Sequence, residues 1–173
     1  MDAISLLKKQ HRKAESALKK LCRGYDESIL DRAASELAAH MVIEETIFYP
    51  AVRRVKPDLV LESYEEHAIA QLALKRLLAT PARDRRFEAR ATALLELIHS
   101  HVEEEENELF PRVEKMIDEE VLDDMGERME TRFDELVDQG HDAVLPRQPG
   151  RVTADRESER VMGSPNGHQA TAR

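Results

Sequence analysis

Two eleven-residue stretches decide the fold: HMVIEETIFYP, from His40 to Pro50, and HVEEEENELFP, from His101 to Pro111. They align without a gap at an offset of 61 residues, with the His, the Glu four residues on, the next Glu and the final Pro in common. A second match precedes each of them, HRKAESALKKL from His11 against HAIAQLALKRL from His67, at an offset of 56. The chain reads as a duplicated helical hairpin. The five-residue difference in offset falls between the paired helices of each half, where added loop or helix costs little.

Apolar residues recur three and four positions apart and helix formers dominate, so the fold class is all-α, an antiparallel four-helix up-down bundle. Breakers set the limits. A first helix of about 2–22 is closed by Gly24 and Asp26, a second spans about 27–55, and a third spans about 59–79 after Pro57-Asp58. Thr80-Pro81 to Asp84 precedes the fourth. Beyond Pro111, helical spacing persists through Val113, Met116, Ile117, Leu122, Met125, Met129, Phe133 and Leu136. The fourth helix therefore continues or a fifth follows, ending near Gly140 and free to cap the bundle or to meet a protein partner or second copy. The last 33 residues, from His141, hold three Pro and three Gly and little apolar content, which predicts a disordered tail. The organisation is thus a bundle over 1–118, an additional helix over 119–140 and a tail over 141–173.

With 35 acidic against 26 basic residues, the net charge of −9 disfavours nucleic acid and anionic membrane surfaces as partners. The single cysteine, Cys22, permits neither an internal disulfide nor a thiolate zinc site. No stretch of 18 apolar residues occurs, and the expected location is cytoplasmic.

Residues four apart in a helix lie nearly above one another, so His40 shares a face with Glu44, and His101 with Glu105. That face is apolar. The first pair continues Ala33, Leu37, Ile47 and Phe48; the second continues Leu94, Leu97, Ile98 and Leu109. His11 is in phase with Leu7, Leu18 and Leu21, and His67 with Tyr64, Leu74 and Leu77. Four imidazoles and two carboxylates are directed inward, and a buried carboxylate without a counter-charge costs several kcal/mol. A pair of metal ions supplies that charge, each taking nitrogens from two His, with Glu44 and Glu105 bridging. Mixed nitrogen and oxygen donors in a helical bundle suit iron first, with manganese and zinc as alternative occupants.

The remaining polar residues read differently. Glu103 and Glu104 are solvated or lie just outside the ligands, and Glu45 and Glu106, about 100° away, form surface pairs. His99 is off the ligand face, while His141 and His168 fall in the tail and are expected in solvent. Tyr64 and Gln71, one turn either side of His67, are candidates to line the site. Tyr49 is a weaker one because its phase differs. Pro50 and Pro111 end or kink their helices just past the ligands.

This pattern resembles the hemerythrin-like, HHE cation-binding domain family over roughly residues 2–118. The resemblance implies a di-iron centre held by His11, His40, Glu44, His67, His101 and Glu105, with an oxo or hydroxo bridge. Oxygen-carrying hemerythrins have a fifth His where this chain has Gln71, and an Asp five residues after the last His where it has Glu105 at four. The chain is therefore more similar to members with a symmetric His, His-x-x-x-Glu set, for which oxygen or iron sensing, peroxide breakdown and nitric oxide chemistry have been proposed. The implied function is binding or reacting with a small oxidant, O2, H2O2 or NO; a sensor or carrier without turnover and a metal-stabilised interaction module are the alternatives. No triad or phosphate loop is present, so an enzymatic activity, if any, is that of a di-iron oxidoreductase.

Overall fold

The computed structural model describes residues 1–147. In chain order the elements are α1 (Ala3–Leu21), α2 (Glu27–Ile43), a π turn (Glu44–Phe48), α3 (Tyr49–Val52), α4 (Pro57–Leu78), α5 (Arg86–Glu104), a second π turn (Glu105–Leu109), α6 (Phe110–Met116), α7 (Glu119–Gln139) and α8 (His141–Val144). The described residues contain no strand and no helix long and apolar enough to cross a membrane. Local signals start the helices where polar caps stand: Asp2 accepts from the Ser5 N–H at 2.9 Å, Asp26 accepts from the Ile29 N–H at 3.0 Å, and Pro57 opens α4. Gly140, at φ 76°, closes α7 in a conformation that favours glycine.

The hairpins α1–α2 and α4–α5 pair through α1 with α5 and α2 with α4, giving an antiparallel four-helix ring. Two hydrophobic clusters fill its ends. One gathers Ile4, Leu7, Phe48, Tyr49, Val52, Leu109, Phe110 and Val113; the other gathers Leu18, Leu21, Leu37, Leu74, Leu77, Phe87, Leu94 and Ile98. Burying each such side chain contributes about 1.5–3 kcal/mol, and this core supports a polar layer between the clusters.

Neither proline ends its helix: helical turns continue through Val52 and through Met116. Proline has no N–H and its ring crowds the carbonyl four residues back, so each helix widens into a π turn just before it. The Tyr49 N–H bonds the Glu44 carbonyl and the Phe110 N–H bonds the Glu105 carbonyl, five residues apart instead of four. The added residue rotates the next turn of each helix, and Tyr49 and Phe110 become fully buried.

A fifth long helix is present. Ile117 is extended (φ −119°, ψ 133°), which ends α6, and α7 then lies across α1 and α2. Its apolar face is spent within the chain, because Leu122, Met125, Met129 and Leu136 are buried in the first cluster. Residues 141–147, expected in the tail, belong to the fold; residues 148–173, with His168 and the rest of the expected tail, lie outside the described residues. Leu145 joins the second cluster, the His141 N–H donates to Ser35 Oγ at 3.1 Å, and the His141 ring lies 3.3 Å from Asp31, only partly exposed.

Gly126 of α7 meets the N-terminal segment. A Cβ there would lie 2.8 Å from the Ala3 nitrogen and closer still to the Met1 carbonyl. Gly126→Ala is expected to push the N-terminus off α7 and cost about 1–3 kcal/mol, read as a lower midpoint in thermal denaturation.

Candidate metal centre

The polar layer contains His11 from α1, His40 from α2, His67 from α4 and His101 from α5, with Glu44 and Glu105 at the starts of the two π turns. All six are buried, and both carboxylates are 0% exposed. His40 Nε2 lies 3.1 Å and His67 Nε2 3.3 Å from Glu44 Oε2, while His11 Nε2 is 4.0 Å from Glu44 Oε1. Glu105 Oε2 lies between His11 Nε2 at 3.4 Å and His101 Nε2 at 3.5 Å. Donor atoms gather into two trios that share one carboxylate: His11, His40 and Glu44, and Glu44, His67 and His101, each within 4.8 Å.

The outer ring nitrogens explain this aim. Gln10 of α1 holds His40 Nδ1 at 2.9 Å, and Glu45, next to the carboxylate that ends α2, holds His67 Nδ1 at 3.1 Å. Glu66 of α4 holds His101 Nδ1 at 2.8 Å, and Glu106 holds His11 Nδ1 at 3.0 Å. Each helix thus orients the histidine of the next, and the ring closes. A carboxylate or amide oxygen there accepts the Nδ1 proton and turns Nε2 inward, where a neutral ring presents its lone pair to a cation. Glu45 and Glu106 are therefore not the surface pairs that their phase suggests; each leans into the groove toward the neighbouring helix.

Four inward atoms, His11 Nε2, both oxygens of Glu44 and Glu105 Oε2, are buried without a hydrogen-bond partner. Several stand at ion-pair distance from imidazoles, but none has hydrogen-bonding geometry. Buried polar atoms are rarely left so, and a set of nitrogens and carboxylate oxygens converging on one space is the donor chemistry of a metal cation. The residues fit the group.

Tyr49 completes the layer, although its helical phase conceals it. Its hydroxyl donates to Glu105 Oε1 at 2.9 Å and lies 3.2 Å from His67 Nε2. The π turn carries it inward; the available signal is Pro50, which an uninterrupted α-helix does not accommodate. Burial, then Glu105 and Glu44, push the Tyr49 phenol well above its ordinary range, so it remains a donor. Its repeat counterpart, Phe110, instead stacks on the His11 ring at 5.9 Å. Tyr64 and Gln71 do not reach the donors: Tyr64 bonds the Glu45 carbonyl at 3.0 Å, and Gln71 Nε2 donates to the Glu45 carboxylate at 3.3 Å. His99 is half exposed and pairs with Glu15 at 2.8 Å. Glu103 is exposed, and Glu104 is held up by partial burial and by Glu66 and Glu62.

Charge balance comes from the same distances. Burial disfavours the His11 imidazolium, yet Glu105 and Glu106 beside it outweigh burial and raise the ring to about 9. His67 rises to about 10, where Glu44 and Glu45 outweigh burial. At His40 burial dominates and the ring is lowered; Glu44 is disfavoured by burial but held well below the carboxylate range by His40 and His67. Without a cation, two imidazoliums neutralise the carboxylates. The stability these raised histidines contribute is complete below about 6.5 and is lost as pH rises through about 9 to 10. His40 and Glu44, both lowered, remove stability as pH falls below their unfolded values. The cation-free fold is expected to be most stable between about pH 6.5 and 9, checked by denaturation against pH. Cation uptake at pH 7 is expected to release about one proton per ion, measured by calorimetry in buffers of different ionisation enthalpy. Tyr49→Phe leaves Glu105 Oε1 buried without its donor and is expected to cost about 1–3 kcal/mol in the same denaturation assay.

Four histidines and two glutamates converging inside an antiparallel helical ring define a cation-binding bundle. The chain belongs to the hemerythrin family: the model of the hemerythrin HHE cation binding domain matches residues 2–113. Among solved structures, the fold is similar to the crystal structure of a hemerythrin HHE cation binding domain-containing protein from Mycobacterium kansasii. The TM-score is 0.71 at 24% identity, over 80% of this chain and 89% of that one. A comparison with curated proteins finds no match.

Proposed function

We propose that the chain holds two iron ions, one at His11 and His40 and the other at His67 and His101, with Glu44 and Glu105 spanning them, and that it reacts with a small oxidant, O2, H2O2 or NO. The observation that carries this reading is the pair of donor trios sharing Glu44, whose two carboxylate oxygens are buried and without hydrogen-bond partners. Six donors on four helices suit a pair of ions better than a single one, because the donor trios have only that carboxylate in common. Iron bound there supplies reversible exchange of one or two electrons with the oxidant.

The protein's own residues do the rest. Gln10, Glu45, Glu66 and Glu106 fix ring orientation and make each imidazole a stronger base at Nε2. Tyr49 keeps one oxygen of Glu105 occupied and leaves Oε2 facing His11 and His101, and its hydroxyl is the one phenolic proton within reach of the donors. Phe48, Phe110 and Leu109, all 0% exposed, close the layer on one side and exclude bulk water. A carboxylate exposed to water at this place would hold a cation weakly; in a dry layer the same pairing is much stronger.

Metal analysis tests the ligand set. Wild type reconstituted with ferrous iron is expected to retain about two ions per chain. His101→Ala and Glu105→Ala are each expected to lose at least about half of that with a helical circular dichroism spectrum retained, and His99→Ala, off the donor set, is expected to lose none. Full iron content in both ligand variants would overturn the assignment. Absence of any absorbance change of the loaded chain with oxygen, peroxide and nitric oxide would overturn the oxidant reading alone.

A further inference from the structure

The first hairpin has α7 laid across it, whereas among the described residues no comparable helix packs on the outer face of α4. That face carries Leu61, Ile69 and Leu72, which are 64%, 53% and 49% exposed and follow one another along a single helical stripe. Large apolar side chains grouped on one face mark an interaction surface more than scattered ones do. Charge on the same helix is segregated. Asp58, Glu62, Glu65 and Glu66 occupy its N-terminal half, and Lys75 and Arg76 its C-terminal end, continued by Arg83, Arg85 and Arg86. Arg76 forms no ion pair within the described residues. Beside it an open cavity of about 360 Å³ is lined by Ala73, Arg76, Arg86, Ala89, Arg90 and Ala93. At the opposite end of α4, Glu62 and Glu66 crowd Glu104 into an acidic patch.

We propose that this face of α4 is the interface of a twofold dimer with a second copy of this chain, packed antiparallel. The pattern is self-complementary about a point midway between Ile69 and Leu72. An axis there lays Ile69 against Leu72 of the second copy and Glu65 against its Arg76. An isologous interface requires that each such contact occur twice, and this stripe supplies both members of every pair. A parallel arrangement would set acid on acid and base on base, so the charges also fix the direction. The acidic patch of one copy meets the arginine-lined cavity of the other. The interface lies outside the donor layer and does not depend on what that layer binds.

The test is sedimentation velocity on the full chain across a concentration series, at low and high salt. Wild type is expected to be a dimer whose dissociation constant rises with salt. Leu72→Glu, Glu65→Arg and Arg76→Glu are each expected to raise that constant at least about tenfold, and the double exchange Glu65→Arg with Arg76→Glu is expected to restore it to within about threefold of wild type. Val121→Glu, an exposed position on α7, is expected to leave it unchanged. A wild type that stays monomeric at about 100 μM would overturn the proposal. So would a dimer indifferent to all three α4 variants, or one lost in Val121→Glu. Recovery in the double exchange shows that the single variants act at the interface and not through misfolding.

Discussion

The structure depends on two carboxylates, Glu44 and Glu105, that have no access to water and sit among four buried imidazoles. Taking such charges out of solvent costs several kcal/mol each, and replacing them with leucine would give a simpler bundle. Their retention makes sense as a site for cations. The rest of the fold serves that layer: one hydrophobic cluster on each side keeps the four helices at fixed spacing, and α7 covers the seam between α1 and α2.

Precision in the layer comes from a closed ring of side-chain contacts. Gln10, Glu45, Glu66 and Glu106 each reach from one helix to the histidine of the next, so no imidazole depends on its own helix alone for orientation. The ring is a product of the duplication, since Gln10 and Glu66 are separated by 56 residues and Glu45 and Glu106 by 61. It also shows where the two halves diverged. A neutral amide stands opposite a carboxylate at the Gln10 and Glu66 positions, and Tyr49 opposite Phe110 gives only one of the two central carboxylates a phenol donor. The two halves of the layer are therefore electrostatically unequal although their six inward donors are matched.

Much of this is legible in the residues, and the remainder is hidden for physical reasons. The repeat exposes the hairpin duplication, the bundle and the six converging residues, because period and self-similarity survive any detail of packing. Phase arguments fail beyond Glu44 and Glu105, because they assume an unbroken α-helix and the prolines force a π turn; Tyr49 looks out of phase for that reason. An angle about the helix axis puts Glu45 and Glu106 at the surface because it does not reveal a long side chain reaching into a groove. Gln71 has the phase to face the donors but is engaged by Glu45. The role of α7 does not emerge from its own apolar stripe, which would suit a partner as well as the bundle. His141 and Leu145 join the fold because Ser35 and the second cluster hold them.

The most direct measurement is iron-edge X-ray absorption on the reconstituted chain, which reports the atoms around each metal and whether another metal is nearby. The expected result is a shell of nitrogen and oxygen donors with imidazole scattering and a distinct iron–iron contribution, as two ions spanned by Glu44 and Glu105 require. An oxygen-only shell without imidazole scattering, or iron with no second metal within bridging range, would contradict it.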